Sequence, residues 1–398
     1  MVDNRDWKAL EAEYYIQTVN RVPIVLVKGE ESTVWDEDGN KFLDFVGGWA
    51  TATLGHSHPV LVKAITEQAN SLIQVSNAFY TIPQIELAKL LVDNSCMDRV
   101  FFCNSGAEAV EGAIKVARRY GQIKREGSFE IITALNSFHG RTFGTLSATG
   151  QPAYQESYSP ILPGFLHVPY NDFESIKKAT TKNTVAIMLE PVQGEGGVNV
   201  PSPGYFKKIR EWCDQNDLLL ILDEVQTGIG RLGHLFGYEA FDVEPDVITL
   251  AKGLGGGVPV GAFLVKERAN SLTLGDHGST FGGNPLATAA GKAVVQTVID
   301  EGIHEKVKKS GQRLVSQLTE IQRETPSITE IRGMGLLQAV EFDSDIGAEV
   351  MNACLDRGLL VNRVRPNTIR LMPPLIISND DIDLGVSIIS DSIKALAE

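Results

Sequence analysis

The sequence predicts an α/β fold with two parts, a large domain on a mainly parallel sheet and a smaller α+β domain. In the middle of the chain, short apolar β-rich runs alternate with helical stretches. This is the pattern of strands buried between two layers of helices. After Asn284-Pro285 the pattern changes to amphipathic helices and shorter strands. We therefore expect three regions: an N-terminal segment packed on the small domain (1–50), the large domain (51–285) and the small domain (286–398).

The strands of the large domain are predicted from apolar runs at 100–103, 130–133, 185–189, 218–222, 247–250 and 262–265. Helices are predicted between several of them, at about 105–124, 173–180 and 203–216. In sheets of this kind, ligands bind at the carboxyl ends of the strands. The polar residues that follow these runs are therefore the first candidates for a functional site.

The outer parts of the chain carry clear turn and helix-start signals. Asp38-Gly39 predicts a hairpin between two short apolar runs, after an N-terminal helix. His56 and His58 precede a helix predicted over 59–72; without further ligands nearby they indicate a helix start, so no metal site is expected. In the small domain we expect helices at 286–300, 303–323 and from about 378, and strands near 336–342, 359–361 and 369–371.

Charge and composition exclude several function classes. The net charge of -14 argues against binding to nucleic acid or to anionic membranes. The four cysteines form no CxxC pair, which is typical of a reduced compartment. The sequence shows neither a targeting segment nor an apolar run of membrane-spanning length. We expect a cytoplasmic protein whose partners are small molecules.

Two successive strand ends carry the central candidate residues. The run at 218–222 ends on Asp223, and the run at 247–250 delivers Lys252 into a glycine-rich turn. A lysine that forms an imine and a carboxylate that keeps a pyridine nitrogen protonated are what an enzyme needs to use pyridoxal phosphate. Taken alone, the pair is better explained by a helix-capping Asp and a solvated Lys, so the rest of the sequence has to support the cofactor interpretation.

A phosphate site is predicted where the first strand meets the longest helix of the large domain. Ser105, Gly106 and Ala107 place backbone N–H groups and a hydroxyl at the helix N-terminus, where the helix dipole favours an anion. An ordinary N-cap would look the same. The loop at 278–284, with Ser279 and Thr280, is a second candidate for phosphate contact. The sequence contains neither a Walker motif nor GxGxxG.

Two further loops contain residues suited to a flat cofactor and a substrate carboxylate. Phe138 can cover one face of a ring, and Arg141 can bind a carboxylate through two hydrogen bonds. Glu195, in an acidic glycine-rich turn, can neutralise an arginine in the pocket. The alternatives are a core Phe, a surface Arg and a solvated turn.

Six segments in fixed order resemble the class III (ornithine-type) aminotransferases of pyridoxal-phosphate fold type I. The amino-acid sequences of these segments are most similar to the acetylornithine branch of that family. The resemblance extends from the hairpin to the segment RLMPPLIIS, so it implies this fold and a transaminase activity for nearly the whole chain. The six segments are FFCNSGAEA, FHGRT, LEPVQGEGG, LLILDEVQTGIGR, TLAKGLGGGVPVGAF and GDHGSTFGGNP.

The resemblance implies a role for each residue that matches a motif around the cofactor ring. Lys252 would form the Schiff base with pyridoxal phosphate, and Asp223 would pair with the pyridine nitrogen. Gln226 would contact the ring 3′-oxygen. Phe138 and Val225 would stack on the two faces of the ring.

The same resemblance implies a phosphate site shared between two subunits. Ser105, Gly106 and Ala107 would bind the phosphate together with Thr280 of a second copy of the chain, so a homodimer is expected. His139 would also belong to the cofactor site.

The substrate site follows from the resemblance in the same way. Arg141 would bind the α-carboxylate of the substrate. Glu195 would mask Arg370 while an ω-amino substrate is bound, and would swing away when the distal carboxylate of 2-oxoglutarate binds Arg370. The remaining residues expected to line the substrate pocket are Trp49, Tyr80 and Ser279.

The implied reaction is transfer of an amino group from N2-acetylornithine to 2-oxoglutarate, a step in arginine biosynthesis. The alternatives are another ω-amine (ornithine, succinylornithine, 4-aminobutyrate), a decarboxylase or aminomutase of the same fold, or a non-enzymatic relative. Four positions depart from the family pattern, and they indicate either an altered amine substrate or only packing and surface charge. They are Trp49, Ala52, Arg363 and Arg365.

Overall fold

The computed structural model describes residues 6–397. The outermost ends of the predicted N-terminal segment and small domain, residues 1–5 and 398, lie outside the described residues.

The N-terminal elements are a helix, three short strands and one tight turn. They are α1 (Trp7–Tyr14), β1 (Leu26–Glu30), β2 (Thr33–Asp36), β3 (Lys41–Asp44) and α2 (Gly47–Ala50). The antiparallel pair of β2 and β3 is the hairpin predicted around Asp38-Gly39. His58 caps the next helix, since its Nδ1 accepts from Val60 N at 3.3 Å, which confirms the predicted helix start.

Helices and strands then alternate, as predicted. They are α3 (Pro59–Ala69), α4 (Ile82–Asp93), β4 (Arg99–Cys103), α5 (Gly106–Lys124), β5 (Glu130–Ala134), α6 (Phe143–Ala148), α7 (Pro152–Gln155), β6 (Phe165–Val168), α8 (Phe173–Ala179), β7 (Thr184–Leu189), α9 (Tyr205–Gln215), β8 (Leu219–Asp223), β9 (Val247–Leu250) and β10 (Gly261–Val265). All six predicted strands are present. Strand β6 and helices α4, α6 and α7 were not predicted.

The C-terminal elements are α10 (Pro285–Asp300), α11 (Ile303–Glu324), β11 (Ile328–Met334), β12 (Leu337–Phe342), α12 (Gly347–Asp356), β13 (Leu359–Leu360), β14 (Asn362–Arg365), β15 (Thr368–Leu371) and α13 (Asn379–Ala397). Strands β11, β12, β15 and β14 form an antiparallel sheet in that order. Strand β13 pairs in parallel with β3, which links the N-terminal hairpin to the C-terminal part. The residues at which the domains divide stay a prediction.

The central sheet has seven strands in the order β4-β10-β9-β8-β7-β5-β6. The neighbours from β9 to β6 are parallel, and β10 is antiparallel to both of its neighbours. Every residue of β7, β8 and β9 is buried. Leu219 and Ile221 face the core beneath α5, whereas Leu220 and Leu222 face the core beneath α9. The predicted α/β fold with a mainly parallel sheet is therefore present.

The strand order brings three polar residues together at one edge of the sheet. Strands β7, β8 and β9 are adjacent and parallel, so their carboxyl ends lie side by side at one edge of the sheet. These ends lead into Glu190, Asp223 and Lys252 respectively. Within residues 6–397, no helix is long and apolar enough to cross a membrane. The cytoplasmic location stays a prediction.

A buried helix glycine tests the packing of α5. Replacing glycine by alanine in a helix normally stabilises it by about 1 kcal/mol. At Gly121, however, an added Cβ would lie 1.8 Å from the carbonyl oxygen of Ser128. We expect Gly121→Ala to lower the free energy of unfolding by about 1–3 kcal/mol, measured by denaturant titration.

The control for this variant is Gln122→Ala, at the exposed next position of α5. Its effect should stay within about 0.5 kcal/mol. A Gly121→Ala protein as stable as the wild type would contradict the close packing of α5 on this loop.

Candidate active site

A cavity of about 420 Å³ lies at the carboxyl edge of the central sheet. Its volume is in the range of small-molecule sites. Segments that follow β4, β5, β7, β8 and β9 form its wall. The structure thereby brings together eleven of the residues predicted from the sequence, namely Ser105, Gly106, Ala107, Phe138, His139, Arg141, Glu195, Asp223, Val225, Gln226 and Lys252.

Asp223 is buried at the end of β8, and its carboxylate contacts an imidazole, a hydroxyl and a backbone N–H. Its Oδ2 lies 2.7 Å from His139 Nδ1. Its Oδ1 accepts from Thr249 Oγ1 at 3.0 Å and from the backbone N–H of Val225 at 3.1 Å. Burial opposes the charged imidazole, but the hydrogen bond and charge of Asp223 prevail and raise the pKa of His139. The carboxylate is thus fixed in position by contacts from three segments of the chain.

Lys252 follows β9 and lines the same cavity. Its backbone φ is +36°, a left-handed conformation that is unfavourable for a lysine. Desolvation by the surrounding protein lowers the pKa of its ammonium group, and the charge of Arg370 acts in the same direction, while Glu195 opposes it. The result favours a neutral amine, which is the form that can act as a nucleophile or base.

Helix α5 presents its N-terminus to the opposite side of the cavity. Ser105 is the N-cap, with its Oγ accepting from Glu108 N at 3.2 Å, and the helix proper begins at Gly106. A Cβ added at Gly106 would lie 2.7 Å from Cγ1 of Val225. The glycine therefore lets the helix N-terminus approach the segment after β8 closely. The backbone N–H groups at the first turn of a helix have no partner within the helix, so this end is suited to bind an anion.

Arg370 and Glu195 form an ion pair beside the cavity. Nη1 of Arg370 donates to Glu195 Oε1 at 2.8 Å and to Gln226 Oε1 at 3.3 Å. Nη2 donates to Asn362 Oδ1 at 2.7 Å. The Arg370 side chain is fully buried, whereas the Glu195 side chain is 29% exposed. Burial alone would raise the pKa of Glu195, but the positive charges of Arg370 and Lys252 lower it.

Arg141 stands at the cavity wall above two aromatic rings. Its guanidinium carbon lies 3.8 Å from the ring centre of Tyr154 and 5.4 Å from that of Phe138. Such cation–π contacts orient a guanidinium without neutralising it. Arg141 is thus exposed, oriented and free to bind an anion from the cavity.

The chain matches the Aminotransferase class-III family over residues 14–393. The acetylornithine aminotransferase of Caldanaerobacter subterraneus is 51% identical over 97% of this chain and 98% of its own length. That of Methanocaldococcus jannaschii is 47% identical over 98% of each chain. This chain belongs to the class-III aminotransferases.

Solved structures of related aminotransferases have the same fold. The ornithine aminotransferase of Toxoplasma gondii superimposes with a TM-score of 0.94 at 35% identity, covering 98% of this chain and 95% of its own. The acetylornithine aminotransferase of Elizabethkingia anophelis gives a TM-score of 0.87 at 36% identity, covering 98% of each chain. The predicted fold type I is confirmed.

Class-III aminotransferases depend on pyridoxal phosphate, and the residues of this cavity fit that cofactor. Asp223 offers a charged carboxylate to a protonated ring nitrogen, and Lys252 offers an amine to an aldehyde. The N-terminus of α5 offers N–H donors to a phosphate. Side chains of Phe138 and Val225 line the wall between these groups. The donor set thus matches the three polar ends of the cofactor.

Besides Arg370, which lies beside the cavity, four predicted site residues of the aminotransferase do not line it in the single chain. Tyr80 is 96% exposed and Trp49 is 51% exposed, and Trp49 lines a second cavity beside the N-terminal segment. Thr280 is exposed. Ser279 Oγ accepts from Asn104 Nδ2 at 3.2 Å, next to the N-terminus of α5. The roles predicted for these four residues stay predictions.

Four residues of the site were missed by the sequence analysis: Thr249, Tyr154, Asn362 and Glu190. Glu190 accepts from the backbone N–H groups of Phe138 and Gly194, at 3.2 and 3.4 Å. Burial raises the pKa of Glu190 to about 7. The sequence offered one signal for Glu190: it follows an apolar run directly and lies in the same segment as the predicted Glu195. The other three act through cross-strand or loop contacts that leave no local pattern.

The departures from the family pattern fall in different places. Ala52 is buried, and Arg363 is exposed. Arg365 lies beside the loop that carries Glu195, because a Cβ added at Gly197 would be 2.7 Å from Arg365 Nε. Burial lowers the pKa of Arg365, and nearby Arg332 lowers it further. Of the two extra arginines, Arg365 is therefore the one that contacts this loop.

The close approach of Gly106 to Val225 predicts a cofactor-binding defect. In Gly106→Ala, the added methyl group pushes Val225 toward the ring site or moves the N-terminus of α5 away from the phosphate. We expect the dissociation constant for pyridoxal phosphate to rise at least about tenfold, since misplaced polar contacts of this kind are worth about 1–3 kcal/mol. Equilibrium titration of the apoprotein, followed by fluorescence, measures it.

The matched control is Ala109→Gly, one turn further along α5, which removes a methyl group from a buried position. It should weaken the fold more than it weakens cofactor binding. Unchanged cofactor affinity in Gly106→Ala would show that this glycine is not needed for the cradle.

Proposed function

We propose that this aminotransferase transfers the terminal amino group of N2-acetylornithine to 2-oxoglutarate, giving N-acetylglutamate 5-semialdehyde and glutamate, a step of arginine biosynthesis. Relatives at 47–51% identity over nearly the whole chain are named acetylornithine aminotransferase, which supports this donor. The observation that carries the proposal is the Arg370–Glu195 pair beside Lys252. It provides one pocket with two charge states for two different substrates.

When bound, pyridoxal phosphate supplies an aldehyde that accepts the amino group and a ring that withdraws electrons from the substrate carbon. Lys252 would hold the cofactor through its Nζ and, once displaced by the substrate amine, would move a proton at the carbon that carried the amino group. Its lowered pKa suits this task, because a base must be unprotonated near the working pH.

Asp223 would keep the ring nitrogen protonated. Its fixed hydrogen bonds to Thr249 and His139 leave it no freedom to move away from the ring. Phe138 and Val225 would confine the ring from either face, and Gln226 would contact its oxygen. Preorganised charges of this kind stabilise the charge that develops in the transition state without reorganising.

The Glu195–Arg370 pair would let the two half-reactions use one pocket. A terminal amine brings no carboxylate to Arg370, so Glu195 neutralises the buried guanidinium. When 2-oxoglutarate binds, Glu195 would turn away and Arg370 would bind one of its carboxylates, while Arg141 binds the other. The partial exposure of the Glu195 side chain leaves it room to move. Alternating use of one site predicts ping-pong kinetics.

The protein would act as a homodimer with each phosphate site completed by Thr280 of the second subunit. Several large apolar side chains near this region are exposed in the single chain, which supports burial against another copy. They are Phe79, Tyr80, Ile82 and Phe281.

A donor panel tests the substrate. With 2-oxoglutarate as acceptor, we expect kcat/KM for N2-acetylornithine to exceed that for ornithine, succinylornithine and 4-aminobutyrate by at least about tenfold, as pocket complementarity commonly provides. Lys252→Ala is the negative control. Equal use of all four amines would remove the acetylornithine assignment.

A separate half-reaction with glutamate distinguishes the reaction types. A decarboxylase or aminomutase would not form the pyridoxamine form of the cofactor from glutamate, whereas the aminotransferase must do so. Stoichiometric formation of that species from added glutamate, followed by absorbance, is the expected result.

Mixed dimers test the shared phosphate site. In a dimer of one Lys252→Ala chain and one Thr280→Ala chain, one of the two sites keeps both Lys252 and Thr280 if Thr280 acts across the interface. Each variant alone should be inactive or weakly active at limiting pyridoxal phosphate. When the two are mixed, we expect activity to rise in proportion to the fraction of mixed dimers. If Thr280 acts within its own chain, neither site is intact and mixing restores nothing.

A further inference from the structure

We propose that Asn362 is a positioning residue that keeps Arg370 oriented and charged for a dicarboxylate, and so selects the amino acceptor. The inference rests on the proposed function, because it concerns the step in which Arg370 receives a carboxylate of 2-oxoglutarate.

Asn362 and Arg370 are opposite each other on neighbouring strands. They form a register pair between β14 and β15. Asn362 Oδ1 accepts from Arg370 Nη2 at 2.7 Å. Because both residues belong to strands of one sheet, the backbone fixes their separation, and a movement of the loop that carries Glu195 leaves this contact in place.

The hydrogen-bond acceptors of Arg370 differ in whether they also contact Glu195. Nη1 is shared by Glu195 and Gln226, and Gln226 Nε2 itself donates to Glu195 Oε1 at 3.4 Å. Within the described residues, Nε of Arg370 has no hydrogen-bond partner. Of the acceptors that contact this guanidinium in residues 6–397, Glu195 itself and Gln226 are linked by a hydrogen bond, whereas Asn362 has no hydrogen bond to Glu195. A fully buried guanidinium without such a partner would lose its orientation.

The amide has a second property that a carboxylate would lack. As a neutral acceptor, Asn362 orients the guanidinium without cancelling its charge. The positive charge thus stays available to the incoming carboxylate once Glu195 has turned away. A carboxylate at this position would keep the hydrogen bond but would neutralise Arg370 permanently. The two effects on the Arg370 guanidinium can therefore be tested separately. Asn362→Ala removes the acceptor that orients it, and Asn362→Asp keeps an acceptor but cancels its positive charge.

The two half-reactions are measured apart by rapid mixing, first in the wild type. For the acceptor half-reaction we expect the apparent dissociation constant of 2-oxoglutarate to rise roughly tenfold in Asn362→Ala, from loss of a hydrogen bond to a charged group. In Asn362→Asp it should rise roughly a hundredfold, from unfavourable juxtaposition of like charges. The amine half-reaction should change much less in both variants. Binding of glutarate, an unreactive dicarboxylate, should follow the same order in calorimetry.

Asn367→Asp is the matched control. It adds the same charge beside the same pair of strands, but its side chain contacts the Phe342 carbonyl rather than Arg370. The apparent dissociation constant of 2-oxoglutarate for this variant should stay within about twofold of the wild-type value, because residue 367 does not contact the ligand. A rise equal to that of Asn362→Asp would assign the effect to general electrostatics and overturn the proposal.

Two other outcomes would also overturn it. One is an equal loss in both half-reactions, which is the signature of a structural role. The other is wild-type affinity for glutarate in Asn362→Asp, a nearly isosteric variant that tests the idea even if Asn362→Ala does not fold. Failure of the proposed function looks different. If 2-oxoglutarate is not the acceptor, the wild type itself does not react with it, and if acetylornithine is not the donor, only the amine half-reaction of the wild type shows it.

Discussion

The buried contact between Asp223 and His139 is the interaction on which the rest of the site depends. A carboxylate out of reach of water is stable only if donors surround it. Here the donors come from three segments, the loop after β5, the turn after β8 and the end of β9. Asp223 and Thr249 are partners in the β8–β9 register. A one-residue slip of either strand would turn one of them to the other face of the sheet.

The same sheet fixes the distance between the two ends of the site. Strand β4 lies at one edge and leads directly into α5, whose N-terminus reaches back to the segment after β8. Gly106 permits this approach, because any side chain there would collide with Val225. The N-terminus of α5 and the buried carboxylate are therefore positioned by the same sheet. In the proposed reaction, movement would be needed where substrates exchange, at the loop that carries Glu195.

The sequence predicted the buried strands well, because a strand covered on both faces is apolar along its whole length. It failed at β6, which lies at the sheet edge and is only partly buried. It also failed at β14, whose sequence NRVR is half charged. Site residues were predictable where a motif places them directly after a strand, as with Asp223 and Lys252. Thr249 and Asn362 were not, because their importance depends on the partner strand that the register places opposite them.

The two ion pairs of the site differ in ways that match different tasks. The Asp223 side chain is 3% exposed, and its two oxygens contact His139, Val225 and Thr249, which belong to three different segments of the chain. Among the described residues, the Glu195 side chain forms hydrogen bonds with Arg370 and Gln226, and it is partly exposed. In the proposed reaction, the charge beside the cofactor ring would have to be the same in both half-reactions, and the fixed contacts of Asp223 suit that task. The charge that meets the substrate would have to change between them, and the partly exposed side chain of Glu195 suits that change.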